Sequence, residues 1–272
     1  MADSDKLPTH ARRQSLTDWD RARGRQTLAV LTAYDYTFAR LADRAGADAM
    51  LVGDSLGMTF AGEDNTLSVT LEQMVYHTRA VARGRERALL ISDLPFLSYQ
   101  ESPEQALRSA GELLRAGAEV VKLEGGAVMA ETVAFLSARG IPVCGHIGLT
   151  PQSVHQLGGY RKQGRDEVTA ARLLEDARQL VAAGARLLVL EAMPAELAAQ
   201  ITAESTVPTI GIGAGPHCDA QVLVMQDVLG LFLGQSPGFV RRYLDGATLC
   251  QDALARFVDD VHQRAYPGSG EG

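Results

Sequence analysis

The sequence predicts an α/β protein, a (β/α)8 TIM barrel with a short N-terminal extension. Short apolar runs rich in β-branched residues alternate with longer stretches of helical period, which is the pattern of repeated strand-helix units. Eight such runs occur, and eight parallel strands are the number that closes a barrel. The length of 272 residues also suits one barrel, which takes about 250 residues.

The eight candidate strands are apolar along almost their whole length. This pattern indicates that helices cover both faces of the sheet, as in parallel sheets. The strands are predicted in LAVLTAYD (28–35), DAMLVGDS (48–55), ALLISD (88–93), EVVKLEGG (119–126), PVCGHIGL (142–149), RLLVLEAM (186–193), PTIGIGAG (208–215) and VLVMQDVLG (222–230).

The predicted helices carry their own start and stop signals. Ser102 followed by Pro103 and Gln105 is typical of a helix start, and Thr70 with Gln73 has the spacing of a capping box. Three helices end in Ala-Gly-Ala just before a strand that finishes in an acidic residue. Glycine at that place permits the left-handed turn that ends a helix.

The domain prediction is a single barrel over residues 1–272. Residues 1–26 form a polar leader that contains four aspartates, so they lack the apolar segment of a signal peptide and the acid-poor character of a transit peptide. Residues 266–272 are expected to form a flexible tail.

Charge and cysteine content exclude several functional classes. With 26 basic and 33 acidic residues the formal net charge is −7, which disfavours a nucleic-acid or anionic-membrane partner. No apolar run reaches the ~18 residues of a membrane span. Three cysteines without ligand-like spacing favour neither a disulfide framework nor a zinc site. We therefore expect a cytoplasmic protein.

Ionisable residues collect at the carboxyl ends of the predicted strands. In a barrel these ends meet at one mouth, where the active sites of this architecture lie. A single acidic residue after a strand is more often a helix cap or a solvated loop residue. Contributions from five successive strands favour a shared site instead. The residues are Asp54, Asp93, Lys122, Glu124, His146 and Glu191.

Several carboxylates around one point need a positive charge among them, because like charges at short range cannot all ionise. The oxygen-rich set favours a hard divalent cation, Mg²⁺ or Mn²⁺, over zinc. An α-keto acid is a natural bidentate ligand of such a cation, which would acidify the neighbouring carbon. Lys122 could neutralise the substrate carboxylate or the enolate, and Glu191 could accept the proton.

Several motifs, in this order, resemble the ketopantoate hydroxymethyltransferase family. They are TAYDY, MLVGDSLGM, ISDLPF, VKLEGG, PVCGHIGLTPQSV, GGYRKQGR, LVLEAMP and IGIGAG. The match as a whole runs from about residue 27 to about residue 265. The resemblance implies a barrel of the phosphoenolpyruvate/pyruvate superfamily that forms a homo-oligomer, a decamer. It also implies hydroxymethyl transfer from 5,10-methylenetetrahydrofolate, the co-substrate, to 3-methyl-2-oxobutanoate, giving 2-dehydropantoate for pantothenate synthesis.

The resemblance also assigns roles to residues at the matching positions. It implies one Mg²⁺ per subunit at Asp54, Asp93 and Glu124, with Glu124 acting through water. Asp54 and Asp93 would bind the 2-oxo acid as well as the metal, and Ser55 and Lys122 are further implied substrate contacts. Glu191 corresponds to the proton acceptor. The remaining implied substrate-binding residue is His146, which would orient the substrate or the product hydroxyl.

Three alternatives stay open from the sequence. The GIGAG turn, Gly211 to Gly215, could bind phosphate, although close packing of a strand on a helix explains it equally well. A Mg²⁺-dependent carbon-carbon lyase of the same superfamily would use the same core, but GGYRKQGR lacks the cysteine that such enzymes carry in a mobile loop. A non-catalytic barrel scaffold would be expected to lose the acids of the mouth, and all are present.

Overall fold

The computed structural model describes residues 12–234, 236–268 and 270. Within these residues, eight parallel strands pair in chain order, and β8 pairs back onto β1 to close a barrel. The strands are β1 Leu28–Thr32, β2 Ala49–Val52, β3 Leu89–Asp93, β4 Val120–Glu124, β5 Val143–Gly148, β6 Leu187–Glu191, β7 Thr209–Ile212 and β8 Ala220–Leu223. The predicted (β/α)8 TIM barrel is confirmed.

Helices on the outside of the barrel connect strands β1 to β7. They are α2 Tyr36–Arg44, α3 Leu56–Thr59, α4 Leu71–Gly84, α5 Pro103–Ala116, α6 Ala130–Ser137, α7 Val154–Leu157, α8 Glu167–Ala182 and α9 Ala195–Glu204. Helix α1 Leu16–Ala22 precedes β1, and α10 Met225–Val228 and α11 Gly246–His262 follow β8. Two 3₁₀ turns, Ala127–Met129 and Pro151–Ser153, precede α6 and α7.

Local sequence signals set the ends of these helices as predicted. The Ser102 side chain accepts a hydrogen bond from the Gln105 N–H at the start of α5, and Thr70 forms a reciprocal capping box with Gln73 at the start of α4. At the end of α5, Gly117 adopts a left-handed φ of 115°. This turn directs the chain straight into β4.

The eighth strand lies earlier in the chain than predicted. The expected strand covers residues 222–230, whereas β8 is Ala220–Leu223, and Met225–Val228 form the short helix α10. The polar Gln221 in β8 interrupts the apolar run by which the other strands are recognised. The strand was therefore predicted to begin after Gln221, in the apolar residues that follow it.

The barrel interior is filled by side chains of the strands, including Leu51, Ile91, Val189 and Val222. Trp19 of α1 is fully buried and belongs to the same hydrophobic cluster. Burial of an aromatic side chain of this size contributes a large hydrophobic term. Part of the predicted leader is therefore integral to the core of the barrel.

The chain separates into two compact units, Met1–Leu223 and Val224–Gly272. The first contains the barrel. In the second, which contains α10 and α11, the Tyr243 N–H donates to the Val228 carbonyl at 2.8 Å. The assignment of 1–272 to a single domain stays a prediction.

The two predicted ends of the chain fall partly outside the described residues. Of the polar leader 1–26, residues 1–11 lie outside them, and of the tail 266–272, residues 269, 271 and 272 do. The flexible tail therefore stays a prediction. Among the helices that the structure describes, none is long and apolar enough to cross a membrane.

Candidate active site

The ionisable residues predicted for the barrel mouth lie together. The strand register sets Asp93 beside Lys122 and Glu124 beside His146, and Asp54 follows the end of β2 by two residues. All of these side chains are buried, whereas the Glu191 side chain is 17% exposed. Glu191 therefore combines a protein partner with access from the mouth.

Lys122 lies at the centre of the acids. Its Nζ is 2.9 Å from Asp93 Oδ1 and 3.8 Å from Glu124 Oε1. The same Nζ lies 3.3 Å from His146 Nδ1. One ammonium group thus faces the two acids and the imidazole within a buried site, where electrostatic interactions are stronger than in water.

His146 connects Glu124 with Glu191. Its Nδ1 is 3.4 Å from Glu124 Oε1, and its Nε2 is 3.1 Å from Glu191 Oε2. Contacts at both ring nitrogens fix the plane of the imidazole. The orientation of the Glu191 carboxylate is therefore coupled to the buried ion pairs of the mouth.

The mouth contains more negative charge than Lys122 can balance. Burial raises the pKa of Asp54 well above its usual range, and the charges of Asp93 and Glu124 raise it further. Burial also raises the pKa of Asp93, although Lys122 opposes this shift. Burial and the mutual repulsion of the three carboxyl groups thus disfavour full ionisation of these acids.

The pKa values of the basic groups of the mouth are also raised, because the surrounding acids favour their charged forms. Burial lowers the pKa of Lys122, but the charges of Asp93 and Glu124 outweigh burial and raise this pKa. Burial and Lys122 lower the pKa of His146, but hydrogen bonds to Glu124 and Glu191 raise it to about 9. For Glu124, burial is outweighed by His146, so its pKa is lowered.

Gln152 is a central residue of the site that the sequence analysis missed. Its side-chain amide donates to Asp54 Oδ2 at 2.8 Å, and its backbone N–H donates to Glu124 Oε2 at 2.9 Å. The Tyr99 hydroxyl donates to Gln152 Oε1 at 2.7 Å and accepts the Glu124 N–H at 3.1 Å. The signal in the sequence is the motif GLTPQSV, residues 148–154, which contains Gln152.

Ser55 lies next to the acids at the start of α3. Its Oγ is 2.9 Å from the Tyr34 hydroxyl, which fixes the serine side chain. A Cβ at Gly53 would lie 2.8 Å from this Oγ and 3.6 Å from Asp93 Oδ2. A side chain at position 53 would therefore collide with Ser55, and glycine avoids this collision beside Asp93.

The loop between α7 and α8 reaches the mouth. The Tyr160 hydroxyl donates to Met58 Sδ at 3.4 Å, and the Gln163 N–H donates to the Ala192 carbonyl at 2.8 Å. Burial raises the pKa of Tyr160, and the charges of Asp54 and Glu191 act in the same direction. The loop therefore lies within electrostatic range of the acids.

The donor chemistry of the mouth suits a hard divalent cation. Asp54, Asp93 and Glu124 supply only oxygen ligands, and the charges of Asp93 and Glu124 add to burial in raising the pKa of Asp54. In the described part of the chain, no three His, Cys, Asp or Glu side chains already have the spacing of a metal site. The residues therefore fit the ion in the chemistry of their ligand atoms, whereas their spacing is not that of a formed metal site.

Comparisons with known proteins identify the relatives of this chain. Residues 13–269 match the model of the family described as ketopantoate hydroxymethyltransferase. The 3-methyl-2-oxobutanoate hydroxymethyltransferase of Methylobacillus flagellatus is 56% identical over 89% of this chain and 93% of its own length. The protein of the same name from Acidithiobacillus ferrooxidans is 59% identical, over 88% and 91% respectively.

Solved structures share the fold at low sequence identity. 2,3-Dimethylmalate lyase, a member of the PEP mutase/isocitrate lyase superfamily, aligns with a TM-score of 0.56 at 17% identity, over 96% of this chain and 92% of its own. Phosphonopyruvate hydrolase, solved with oxalate and Mg²⁺, aligns with a TM-score of 0.60 at 12% identity, over 94% and 91%. These similarities concern the barrel alone.

The family match spans nearly the whole chain and includes every residue of the mouth. The relatives that share more than half of its sequence are named as enzymes that transfer a hydroxymethyl group. The chain therefore belongs to the ketopantoate hydroxymethyltransferase family and is a transferase.

Proposed function

We propose that the chain transfers a hydroxymethyl group from 5,10-methylenetetrahydrofolate to 3-methyl-2-oxobutanoate and gives 2-dehydropantoate, a step of pantothenate biosynthesis. The observation that carries this proposal is the contact between Glu191 and His146, at 3.1 Å, on the rim of a buried ion-pair cluster. A carboxylate held in this way can act as the base on a carbon acid.

Binding of the 2-oxo acid uses the positive charge of the mouth. Lys122 is the ammonium group that lies among the acids, and it would neutralise the substrate carboxylate or the enolate oxygen. Ser55 and His146 provide hydrogen-bonding groups at the same mouth. These contacts would orient the substrate with its C3–H bond towards Glu191.

Proton abstraction is assigned to Glu191. It would take the C3 proton of 3-methyl-2-oxobutanoate, and the electron pair of the C–H bond would pass into the enolate. His146 would hold the carboxylate in position through Nε2. The carbon of the enolate would then bond to the one-carbon unit of the folate, water would supply the hydroxyl oxygen, and both bonds from that carbon to folate nitrogens would break. One proton from water and the proton held by Glu191 would go to the two nitrogens, and tetrahydrofolate would leave.

The residues that would hold Mg²⁺ are Asp54, Asp93 and Glu124, one ion per subunit. The ion would supply Lewis-acid polarisation of the substrate ketone. Gln152 would keep Asp54 and Glu124 in place through its two hydrogen bonds, as outer residues do for metal ligands. Mg²⁺ is named in the structure of phosphonopyruvate hydrolase, but the proposal rests on the carboxylates of this chain.

A homo-oligomer, a decamer by resemblance, and a cytoplasmic location complete the proposal. Among the described residues of the second unit, α11 exposes a series of apolar side chains that another subunit could cover. They include Leu249, Leu254, Phe257 and Val258. The free thiols of Cys144, Cys218 and Cys250 support a reducing compartment.

The test is transfer of a labelled carbon. The purified protein is mixed with 3-methyl-2-oxobutanoate and 5,10-methylenetetrahydrofolate carrying ¹³C in the methylene group, with Mg²⁺ or with a chelator. We expect ¹³C in the hydroxymethyl group of 2-dehydropantoate only when the divalent ion is present. Cleavage of a 2-oxo acid without label transfer would instead support the lyase alternative.

A further inference from the structure

A cavity lies beside the barrel mouth, between the ends of β4 and β5 and helix α8. Its volume is about 450 Å³, which lies within the range of small-molecule sites. The wall combines glycine backbone, the apolar side chains of Ile147 and Leu173, and hydroxyl groups such as that of Thr169. None of the steps assigned to the barrel mouth uses this cavity.

One carboxylate lies in the wall of the cavity. The side chain of Asp176 is only 10% exposed, and its Oδ1 accepts the Ala127 N–H at 2.7 Å. Its Oδ2 has a 3.8 Å contact with Nε of the exposed Arg172. The carboxylate therefore has a backbone hydrogen bond and a long ionic contact.

The neighbouring backbone is shaped to admit this carboxylate. A Cβ at Gly126 would overlap the carboxylate of Asp176, so only glycine allows the loop after β4 to lie this close. The carboxylate is thereby fixed against the cavity wall. Each of its oxygens can accept more than one hydrogen bond, so Oδ1 can also accept a bond from a ligand.

The cavity directly adjoins the proposed reaction centre. Gly125 in its wall follows Glu124, and Ile147 and Gly148 follow His146. Gly148 is also paired with Glu191 in the sheet. A planar ligand in the cavity would therefore lie next to the strands that carry the proposed base and its partner.

We propose that this cavity binds the reduced pterin ring of the folate co-substrate, with Asp176 as its recognition residue. The inference rests on the proposed function. The aminopyrimidine edge of a pterin carries two adjacent donors, the ring N3–H and the 2-amino group, and a carboxylate can accept both at once. Asp176 thus orients the ring, and the one-carbon unit extends from the cavity towards the mouth.

The first experiment measures ring binding directly. A tetrahydropterin without the aminobenzoylglutamate tail is titrated calorimetrically into the parent, Asp176→Asn and Glu175→Gln. The asparagine keeps an acceptor for the Ala127 N–H but offers an amide donor in place of one carboxylate oxygen. We expect the Kd to rise about tenfold or more in Asp176→Asn, and to stay at the parental value in Glu175→Gln, an exposed position on the same helix.

A second experiment changes the ligand and not the protein, so its result on the parent does not depend on whether a variant folds. A tetrahydropterin in which methyl replaces the 2-amino group should bind the parent about tenfold or more weakly, and Asp176→Asn should reduce this difference. Equal binding of the two pterins by the parent, or an unchanged Kd in a folded Asp176→Asn, would overturn the assignment.

Failure of the proposed function can be distinguished from failure of the cavity assignment. Deuterium exchange into 3-methyl-2-oxobutanoate needs no folate, so its absence in the parent would refute the proposed chemistry whatever the pterin does. Exchange in the parent together with pterin binding that is insensitive to Asp176 would refute only the cavity assignment.

Discussion

The side-chain amide of Gln152 donates a 2.8 Å hydrogen bond to Oδ2 of Asp54, across the mouth of the barrel. The same amide donates to the Leu94 carbonyl at 2.9 Å, and the backbone N–H of Gln152 donates to Glu124 Oε2. A single neutral residue from the loop after β5 thus fixes two of the three acids proposed to hold Mg²⁺.

Replacement of Gln152 should affect both stability and metal binding. In Gln152→Ala, Asp54 and the Leu94 carbonyl lose a buried donor, so we expect the free energy of unfolding to fall by about 1–3 kcal/mol. Mg²⁺ affinity should fall about 10–100-fold. Denaturant unfolding in chelator and calorimetric Mg²⁺ titration measure the two effects. Gln179→Ala, at an exposed position, is the control, and parental behaviour of Gln152→Ala would refute the positioning role.

Lys122 should be essential to the stability of the protein when divalent ions are absent. Lys122→Met removes the partner of Asp93 and leaves buried carboxylates unbalanced, which costs about 3–5 kcal/mol when a buried pair is broken. Denaturant unfolding in chelator at neutral pH measures this loss. Lys162→Met, at an exposed position, should unfold like the parent. A loss in Lys122→Met no larger than in that control would contradict the central placement of Lys122.

The stability of the metal-free protein should fall between neutral and alkaline pH. The folded-state pKa of His146, about 9, lies above its ordinary value of 6.5, so the folded protein binds a proton that the unfolded chain releases. The resulting stabilisation is complete below about pH 6.5 and is lost as the pH rises through about 9. It amounts to about 3 kcal/mol.

The measurement is denaturant unfolding in chelator from pH 6 to pH 10. His146→Gln should lose most of the decline in stability, whereas His217→Gln, at an exposed position, should retain it. An equally steep decline in His146→Gln would show that other groups cause the pH dependence.

Magnesium should stabilise the protein through the buried carboxylates. A ligand that binds only the folded state stabilises it by about 2.7 kcal/mol at one hundred times its Kd, so added Mg²⁺ should raise the melting temperature of the parent. Asp54→Asn should lose this response because it removes one proposed ligand. Asp64→Asn, at an exposed position, should keep it. A full Mg²⁺ response in Asp54→Asn would exclude Asp54 as a ligand.

The barrel could be predicted because apolar runs in the sequence identify most of its strands. Apolar runs that end in Asp93, Glu124 and Glu191 coincide with β3, β4 and β6, and parallel strands necessarily bring their carboxyl ends to one face. Proximity of these side chains follows from the topology without any knowledge of the loops. For β8 the sequence signal was weak, because Gln221 interrupts the apolar run.

Residues supplied by loops could not be predicted in the same way. Gln152 acts through a backbone N–H and a neutral amide, and neither has a periodic signature in the sequence. Asp176 lies on α8, where an acid is ordinarily a solvated residue, and its burial results from the close approach of Gly126. Trp19 lies in a mostly polar segment, with only Leu16 and Ala22 on the same helix face, and its burial results from tertiary packing on the barrel.

The central claim is that Glu191 removes a proton from the 2-oxo acid. The most direct measurement is deuterium uptake at C3 of 3-methyl-2-oxobutanoate in D₂O, without folate and with Mg²⁺, for the parent, Glu191→Gln and Glu196→Gln. Glu196 is an exposed glutamate on the next helix and serves as the matched control.

The parent and Glu196→Gln should exchange at equal rates, and exchange in Glu191→Gln should be slower by about 10²–10⁴-fold, the usual contribution of a general base. Exchange at the parental rate in a folded Glu191→Gln would contradict the assignment of Glu191 as the base.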